Sequence, residues 1–315
     1  MNIKKIFRFF LPQTAKTILL SVIFVWFAVI FFISCTSISP VSGNRERAGD
    51  FLYIDDIKAH WREFFDGIGY FHGKISSPKI EFHALKIDLF SPNIEIFCGG
   101  GELSASVSTF ARNNNLYAAV NAVPFDVSSS KEGQPIKNMG VVISGGVLLS
   151  PANPRYDALV FFQRKDSQSL TAAVINQSEL NKLKENILHA AGGFYKILAG
   201  GELTQRTLSV ESRHPRSAAG VSKDGRYLYL LVIDGRRAAS IGATEKETAD
   251  LLLSLGSWDA INFDGGGSSS LVMRHPDGNI KPVNTPIHGG IQGLERAVAG
   301  CVGVRIKSSS SSEEK

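Results

Sequence analysis

The fold is most constrained by a succession of short apolar runs that are joined mainly by turns. Residues 79–90 alternate between apolar and polar side chains, as a strand with one buried face does. Residues 141–143 and 147–149 flank Ser144-Gly-Gly146, which is the pattern of a tight hairpin. Strand-like runs outnumber helical ones, and no internal repeat is evident. We predict one α+β domain of mostly antiparallel or mixed β-sheet, not a series of βαβ units.

The helical patterns occur singly between these strands. Residues 107–111 begin a short helix, and Ser178 can cap a second helix that is closed by Gly192. Thr244-Glu-Lys-Glu247 has the form of a capping box, and Gly256 suits the end of the helix that follows. A few single helices on an otherwise β-rich chain agree with the α+β prediction.

The N-terminus has the pattern of a targeting segment. The first 35 residues contain basic but no acidic side chains, and residues 17–33 are uncharged and mostly apolar. Ser34-Cys35 resembles a bacterial lipoprotein cleavage site, which predicts lipidation of Cys35; an uncleaved membrane anchor is the alternative. Both interpretations predict an exported, membrane-attached protein whose body lies outside the cytoplasm, with residues 36–50 as a tether.

The chain after the N-terminal segment, which includes the predicted domain of residues 51–307, is nearly neutral. The net charge is +5, but without the four basic residues of the N-terminal segment the 34 Lys and Arg fall to 30, against 29 acidic residues. We therefore predict no nucleic-acid partner. Cys98 and Cys301 could pair in an exported protein, and no Cys–His spacing indicates zinc, so no metal or other cofactor is predicted. The Ser-rich residues 308–315 are expected to be a disordered tail.

A glycine-rich loop is the most informative local motif. The apolar residues 260–263 end on Asp264, and the loop then continues with Gly265, Gly266, Gly267 and Ser268. Glycines let main-chain N–H groups approach a ligand closely, and a carboxylate at a strand end can meet a polar ligand there. A glycine-rich hairpin with a solvated aspartate is the alternative interpretation.

A short basic segment is a candidate anion-binding site. Arg213, His214 and Arg216 lie within four positions, and a guanidinium group fits phosphate or carboxylate with two parallel hydrogen bonds. The alternative is a solvated basic loop. Glu295-Arg296 is likewise either a local ion pair or the source of a second catalytic carboxylate.

In their order along the chain, these motifs resemble the phosphodiester glycosidase family. The resemblance covers roughly residues 80–306 and departs at Val123-Pro124, where many relatives carry glycine and a second aromatic residue. It implies a glycosidase-type hydrolase that cleaves a sugar-1-phosphodiester between the anomeric carbon and the phosphate oxygen. The motifs that carry it are Asn121-Ala-Val-Pro-Phe-Asp126, Arg213-His-Pro-Arg216, Asp234-Gly-Arg236, Asn262-Phe-Asp-Gly-Gly-Gly-Ser268 and Glu295-Arg296.

The resemblance also implies roles for the catalytic candidates. Asp264 would act as nucleophile on the anomeric carbon or as base for water, with Asp234 or Glu295 as the second carboxylate. His214 would serve as a general acid, which can be weak because phosphate is a good leaving group.

Substrate binding is assigned to the remaining polar residues of the motifs. Arg216, with Arg213 or His214, would hold the phosphodiester anion and stabilise the leaving phosphate. Contacts to sugar hydroxyls or phosphate oxygens would come from Asn121, Asp126 and the main chain of Gly265, Gly266, Gly267 and Ser268.

The predicted substrate follows from the predicted location. An exported lipoprotein would meet sugar-phosphate glycans of the cell envelope, so we predict such a glycan as substrate and the membrane as the other partner. A non-catalytic glycan-binding lipoprotein is one alternative. Another is a metal-dependent phosphodiesterase that uses Asp126, Asp234 and Asp264 as oxygen ligands.

Overall fold

The computed structural model describes residues 61–126, 131–165, 167, 169–183 and 186–307. The predicted targeting segment with Cys35, the tether and the Ser-rich tail lie outside the described residues. All described residues belong to one compact unit. Within these ranges, no helix has the length and apolar character that a membrane span requires.

The described residues form 22 strands and three α-helices. The helices are α1 (Val107–Asn113), α2 (Leu180–Leu183) and α3 (Glu245–Leu255). The strands are β1 (Arg62–Phe65), β2 (Ile68–Ile75), β3 (Ile80–Asp88), β4 (Ile94–Ala105), β5 (Ala118–Asn121), β6 (Phe125–Asp126), β7 (Lys137–Asn138), β8 (Val142–Ser144), β9 (Val147–Ser150), β10 (Asp157–Gln163), β11 (Leu170–Asn176), β12 (Ile187–Gly192), β13 (Tyr195–Ala199), β14 (Glu202–Leu203), β15 (Arg216–Val221), β16 (Tyr227–Ile233), β17 (Asp259–Asn262), β18 (Leu271–Arg274), β19 (Ile280–Pro282), β20 (Ile287–His288), β21 (Ile291–Gln292) and β22 (Val298–Ile306).

Three sheets and two small ribbons make up the fold. The large sheet has eight strands in the order β1-β2-β3-β16-β15-β17-β13-β14. The second sheet has the order β19-β18-β5-β22-β4, and the third sheet β11-β10-β12-β8-β9. The ribbons are β6–β7 and β20–β21, and every strand pair of the described residues is antiparallel. The α+β, mostly β prediction is thereby confirmed.

The three sheets share one central core. Leu85 of the large sheet, Val120 and Val302 of the second and Phe161 of the third belong to the same fully buried cluster. Because successive side chains of a strand point to opposite faces, each sheet also presents a second apolar face. These outer faces need their own cover.

One helix covers the outer face of each sheet. α1 packs Val107 and Ala111 against the second sheet, and α2 packs Leu180 against the third. α3 packs Leu252 against the large sheet. Thr244 and Glu247 form the predicted capping box of α3, and Gly256 ends the helix in the left-handed conformation.

The second predicted helix is much shorter than its sequence pattern indicates. α2 ends at Leu183, and Ile187–Gly192 form strand β12 between β10 and β8. The cap of the preceding turn is the side chain of Asn176, not that of Ser178. The prediction was wrong because Ile187 and Leu188 suit a helix face in isolation, whereas two neighbouring strands pair with this segment.

The two described cysteines are free and buried. Cys98 lies opposite Val302 on the neighbouring strand, while Cys301 lies opposite Gly99. This offset of one residue places Cys98 on the central-core face and Cys301 on the face beneath α1. The two thiols therefore lie on opposite faces of one sheet.

Candidate active site

The glycine-rich loop carries the chain from one sheet to another. β17 ends at Asn262, the buried Phe263 follows, and β18 begins in the second sheet. The main-chain N–H of Asp264 donates to the carbonyl of Ala122, directly after β5, at 2.9 Å. The loop therefore lies at a seam where the ends of β17 and β5 meet.

Asn121 fastens the loop to both sheets from within the protein. Its Nδ2 donates to the carbonyl oxygen of Asp264 at 2.5 Å. Its Oδ1 accepts from Ser217 Oγ at 2.7 Å and from the main-chain N–H of Ser270 at 3.2 Å. With 1% of its surface exposed, Asn121 holds the loop in place through protein contacts on both ends of its amide.

The absence of side chains on the loop lets neighbouring elements approach it. Gly266 has φ of +63°, and a Cβ atom there would lie 3.0 Å from Nη2 of Arg236. A Cβ atom at Gly267 would lie 3.2 Å from Nδ1 of His288, and one at Gly265 would lie 3.0 Å from the carbonyl of Pro215. Three separate segments thus close around the loop, which explains the need for consecutive glycines.

Asp264 is a carboxylate whose charge is destabilised by its surroundings. Burial raises its pKa above the usual range, although a hydrogen bond from Ser268 and the positive charge of Arg296 oppose the shift. The residue is nevertheless partly exposed to solvent. A perturbed carboxylate that solvent can still reach is typical of a reactive site.

Arg296 contributes positive charge near Asp264 and joins the last motif to the first. Its guanidinium carbon lies 4.8 Å from the centroid of the Phe125 ring, and its Nη1 donates to Ser268 Oγ at 3.2 Å. Its Nε is buried and has no hydrogen-bond partner among the described residues. A buried guanidinium N–H without a protein partner is uncommon in folded proteins and is a feature of functional sites.

Arg236 brings a second guanidinium group to the loop. It is a non-glycine residue in the left-handed region, with φ of +58°, a conformation that costs free energy and is enriched at functional sites. The residue is exposed, and in the described part of the chain its guanidinium has no carboxylate partner within ion-pair distance. Its guanidinium group lies beside Gly266 and provides positive charge at the loop.

Two histidines complete the surroundings of the loop. Burial and the charges of Arg216 and Arg236 lower the pKa of His214, whose main chain pairs with that of Ala243. Burial and the charge of Arg296 lower the pKa of His288. Both rings are therefore neutral near pH 7 and can donate or accept a proton.

The sequence of this region matches a known family. The family model of the phosphodiester glycosidases matches residues 114–305, which include the glycine-rich loop and every candidate residue described above. The chain belongs to the phosphodiester glycosidase family. This confirms the resemblance that the order of the motifs indicated.

Solved structures show the same fold. The catalytic domain of zebrafish N-acetylglucosamine-1-phosphodiester α-N-acetylglucosaminidase, auto-inhibited by its pro-peptide, superposes with a TM-score of 0.58 at 20% identity, covering 79% of this chain and 86% of that one. A hypothetical protein from Synechocystis gives 0.55 at 16% identity, covering 78% and 63%. A putative exported protein from Burkholderia pseudomallei K96243 gives 0.53 at 15% identity, covering 72% and 74%.

One curated relative matches a shorter region. The SPbeta prophage-derived uncharacterized protein YomE of Bacillus subtilis (strain 168) is 37% identical over 86 residues, which is 27% of this chain. The matched region is 12% of the length of that relative. The likeness therefore concerns one part of a much longer protein.

The two arginines of the predicted anion clamp are engaged with the N-terminus of α3. Arg213 binds the carboxylate of Glu247 with two hydrogen bonds, of 2.6 and 2.5 Å. Arg216 is buried, donates from Nε to the carbonyl of Ala243 at 3.0 Å, and pairs with Glu245 at 3.4 Å. Their guanidinium groups hold helix α3 of this family member against the large sheet.

Asp234 is 1% exposed and anchors the chain that leads to His288. Its Oδ1 accepts from Asn284 Nδ2 and from the main-chain N–H of Thr285, both at 3.0 Å. Its Oδ2 accepts from Arg237. Burial raises the pKa of Asp234, although these partners oppose the shift. The carboxylate therefore contributes to the site through the position of the 284–288 segment.

Glu295 and Asp126 lie at other edges of the site. Glu295 Oε1 accepts from Ser270 Oγ at 2.8 Å and from the main-chain N–H of Ser108, in the first turn of α1, at 3.2 Å. Asp126 is exposed on the β6–β7 ribbon, opposite Lys137. Of the four predicted catalytic residues, Asp264 lies in the loop and Glu295 contacts it through Ser270. His214 directly precedes Pro215, whose carbonyl accepts from the main-chain N–H of Gly266, and Asp234 acts through the 284–288 segment.

Three residues of the site were not singled out from the sequence. Arg236 and Arg296 lie within the motifs, which predict no catalytic or binding role for either, and His288 lies outside every motif. A positive φ at Arg236 and the stacking of Arg296 on Phe125 are tertiary features. The only signal in the sequence was the recurrence of arginine directly beside the motif carboxylates.

Proposed function

We propose that this chain is a glycosidase-type hydrolase that cleaves a sugar-1-phosphodiester between the anomeric carbon and the phosphate oxygen. The observation that carries the proposal is the grouping of one partly exposed, perturbed carboxylate, Asp264, with the guanidinium groups of Arg236 and Arg296 around a glycine loop. Membership of the phosphodiester glycosidase family supports it.

The charges around the loop suit a phosphate that carries a single negative charge. Arg236 and Arg296 contribute two positive charges, whereas the lowered pKa values of His214 and His288 favour neutral rings at pH 7. With ionised Asp264, the group has one positive charge in excess. A phosphodiester, which carries one negative charge, would neutralise it, whereas a phosphomonoester dianion would leave an uncompensated negative charge beside Asp264.

The chemistry follows from the placement of these groups. The guanidinium groups of Arg236 and Arg296 stabilise the charge that develops on the departing phosphate. Because a phosphate monoester leaves readily, His214 or His288 needs to supply little proton transfer. Asp264 acts at the anomeric carbon, either as nucleophile or as the base that activates water. Asn121 keeps the Asp264 main chain in position.

The location of the substrate remains part of the proposal. The basic start, the apolar residues 17–33 and Ser34-Cys35 support an exported protein attached to the membrane by lipidated Cys35 or by an uncleaved anchor. In that position, the substrate is a sugar-phosphate glycan or glycoconjugate of the cell envelope. The near-neutral body of the chain agrees with a glycan partner more than with a nucleic acid.

Isotope labelling during hydrolysis tests the proposal. The full chain is incubated in detergent with a panel of aryl diesters of sugar 1-phosphates in water enriched in ¹⁸O. Cleavage of the carbon–oxygen bond releases aryl phosphate without the label, which is the expected result. Label in the phosphate would show attack at phosphorus and would support a metal-dependent phosphodiesterase. Saturable binding with no released product across the panel would support a non-catalytic glycan-binding protein.

A further inference from the structure

A cluster of potential metal ligands lies outside the glycine-rich loop, on one face of the large sheet. His72 of β2 lies directly opposite His83 of β3, and Glu81 precedes His83 by two positions on the same strand. Residues two apart on a strand share a face, so all three side chains point to one side. The Nε2 or Nδ1 atoms of the histidines and a carboxylate oxygen of Glu81 all lie within 4.8 Å of one another.

We propose that His72, Glu81 and His83 form a binding site for a divalent transition-metal ion of the zinc type. Two imidazole nitrogens and one carboxylate oxygen are a ligand set that zinc accepts, with a fourth position left for water. His72 Nε2 already lies 2.8 Å from Glu81 Oε1, and the two imidazole rings lie 4.4 Å apart. An ion between these atoms requires side-chain rotation without movement of the strands.

Neighbouring residues orient the ligands as outer-shell partners do in metal sites. Tyr70 Oη lies 2.8 Å from His83 Nδ1, so the tautomer with a proton on Nδ1 leaves the Nε2 lone pair free. Arg237 binds Glu81 Oε2 and thereby leaves Oε1 to the histidines. Asp234 Oδ2 lies 3.9 Å from His83 Nε2 and adds negative charge from the buried side.

The cluster has one open side and two neighbouring cations, of which the partly buried Arg237 stays paired with Glu81 and Asp234, and the exposed Lys74 competes with an ion. The side chain of His72 is 39% exposed, whereas His83 and Glu81 are buried, so an ion can enter past His72. Lys74 Nζ lies 3.2 Å from Glu81 Oε1, and its side chain is 68% exposed. A flexible exposed lysine can move into solvent when an ion takes its place.

The position of the cluster gives the ion a structural role. Asp234 connects the cluster to Asn284 and Thr285 through the hydrogen bonds described above, and that segment continues to His288 at the glycine loop. An ion held by β2 and β3 would restrict the movement of Asp234 and, through it, of the 284–288 segment. The site would then stabilise the fold and is separate from the bond-breaking groups at Asp264.

Zinc binding to the full chain tests the proposal. The tag-free protein in detergent is stripped of metal, and ZnCl₂ is titrated by calorimetry, with thermal unfolding measured in parallel. We expect one zinc per chain and an unfolding temperature that rises with zinc concentration. His72→Ala, an exposed ligand whose loss spares the core, should weaken zinc binding roughly tenfold or more.

Two further variants separate this site from incidental histidine binding. His275→Ala removes an exposed histidine in the turn after β18 and should leave the zinc affinity unchanged. Lys74→Ala removes the competing cation and should strengthen binding. No zinc bound, or equal affinity for the wild-type chain and His72→Ala, would overturn the proposal. Hydrolysis is not the readout, so failure here leaves the proposed function untouched.

Discussion

At the scale of single residues, Asp264 has few neighbours that stabilise its negative charge. Ser268 and Arg296 are its polar neighbours, and burial outweighs both in raising its pKa. The ionised form of Asp264 therefore costs folding free energy. Such a cost is expected where the charge is needed for chemistry rather than for folding.

The first prediction concerns the reaction. Asp264→Asn keeps the shape of the side chain but removes its charge, and should lower turnover of a sugar-1-phosphate diester by about 10²–10⁴-fold. Asp277→Asn is the matched control, because Asp277 lies in an exposed turn and binds Asn279 and Lys281 there. Steady-state kinetics compare the two variants. Equal activity of Asp264→Asn and the wild type would refute the assignment.

The second prediction concerns stability and pH. The pKa of Asp264 is raised in the folded state, so its ionised form destabilises the fold at neutral pH, and this cost disappears as the pH falls below the unfolded value of 3.8. Asp264→Asn should therefore be more stable than the wild type at pH 7, by an amount that shrinks towards acid pH. Urea unfolding at several pH values measures this; a variant that is less stable at pH 7 would contradict it.

The third prediction follows from the same pKa shift. If ionised Asp264 drives the reaction, kcat/KM should fall as the pH is lowered through a pKa above 3.8, because protonation removes the nucleophile or base. A pH–rate profile of the wild type measures the midpoint. An acid limb that lies below pH 3.8, with the protein still folded, would argue against a carboxylate in this environment as the reactive group.

At the scale of elements, the glycines of the loop between β17 and β18 allow three neighbouring segments to pack closely against its main chain. Pro215, Arg236 and His288 come from three different segments, and each lies close to one of the consecutive glycines. The loop joins the large sheet to the second sheet, so its ends are held by both. The loop is held at both ends and has no side chains at its central glycines. A charged ligand could therefore contact its main-chain N–H groups.

The fourth prediction tests this use of glycine. Gly266→Ala places a Cβ atom 3.0 Å from Arg236 Nη2, at a position with φ of +63°. Gly278→Ala meets the same kind of backbone strain, with φ of +81° and no atom within 4 Å. Both should lose about 1–2 kcal/mol of stability, because an L-residue is disfavoured in the left-handed region.

Only Gly266→Ala should also raise KM, because Arg236 must move away from the loop. Chemical unfolding and steady-state kinetics on the two variants separate the backbone effect from the contact. If both variants retain wild-type KM, the position of Arg236 above the loop has no part in substrate binding.

At the scale of the whole molecule, three sheets converge on one core and each has a helix on its outer face. This arrangement brings residues that are far apart in sequence into contact, as Phe125 and Arg296 show. It also separates residues that are close on paired strands, as the offset of Cys98 and Cys301 shows. The faces of the sheets, not distance along the chain, decide which side chains meet.

The fifth prediction uses that separation. Cys98 and Cys301 should both be reduced even after purification under oxidising conditions, and neither should react with iodoacetamide in the native state, because each is buried and burial raises the pKa of each thiol. After denaturation without reductant, both should be alkylated, as measured by peptide mass spectrometry. A disulfide-linked peptide pair would contradict the strand register.

Local patterns in the sequence were sufficient for the elements whose signals are local. The capping box at Thr244, the stop at Gly256 and the hairpin at Ser144-Gly-Gly146 depend on neighbours within a few residues, and the structure confirms all three. The glycine loop with Asp264 and the order of motifs likewise identified the family. Strand pairing overrode the helical pattern at residues 187–192, because the partners β8 and β10 are distant in sequence.

The sequence by itself thus determined the α+β class, the family and the stretch around Asp264 on which the site is built. Only the tertiary structure decided which charged groups accompany Asp264, because the carboxylates that pair with each arginine come from elements distant in sequence. Arg213 and Arg216 find Glu247 and Glu245 on α3. Arg236 and Arg296 form no such ion pair among the described residues, and in the proposed function their charge binds the substrate phosphate.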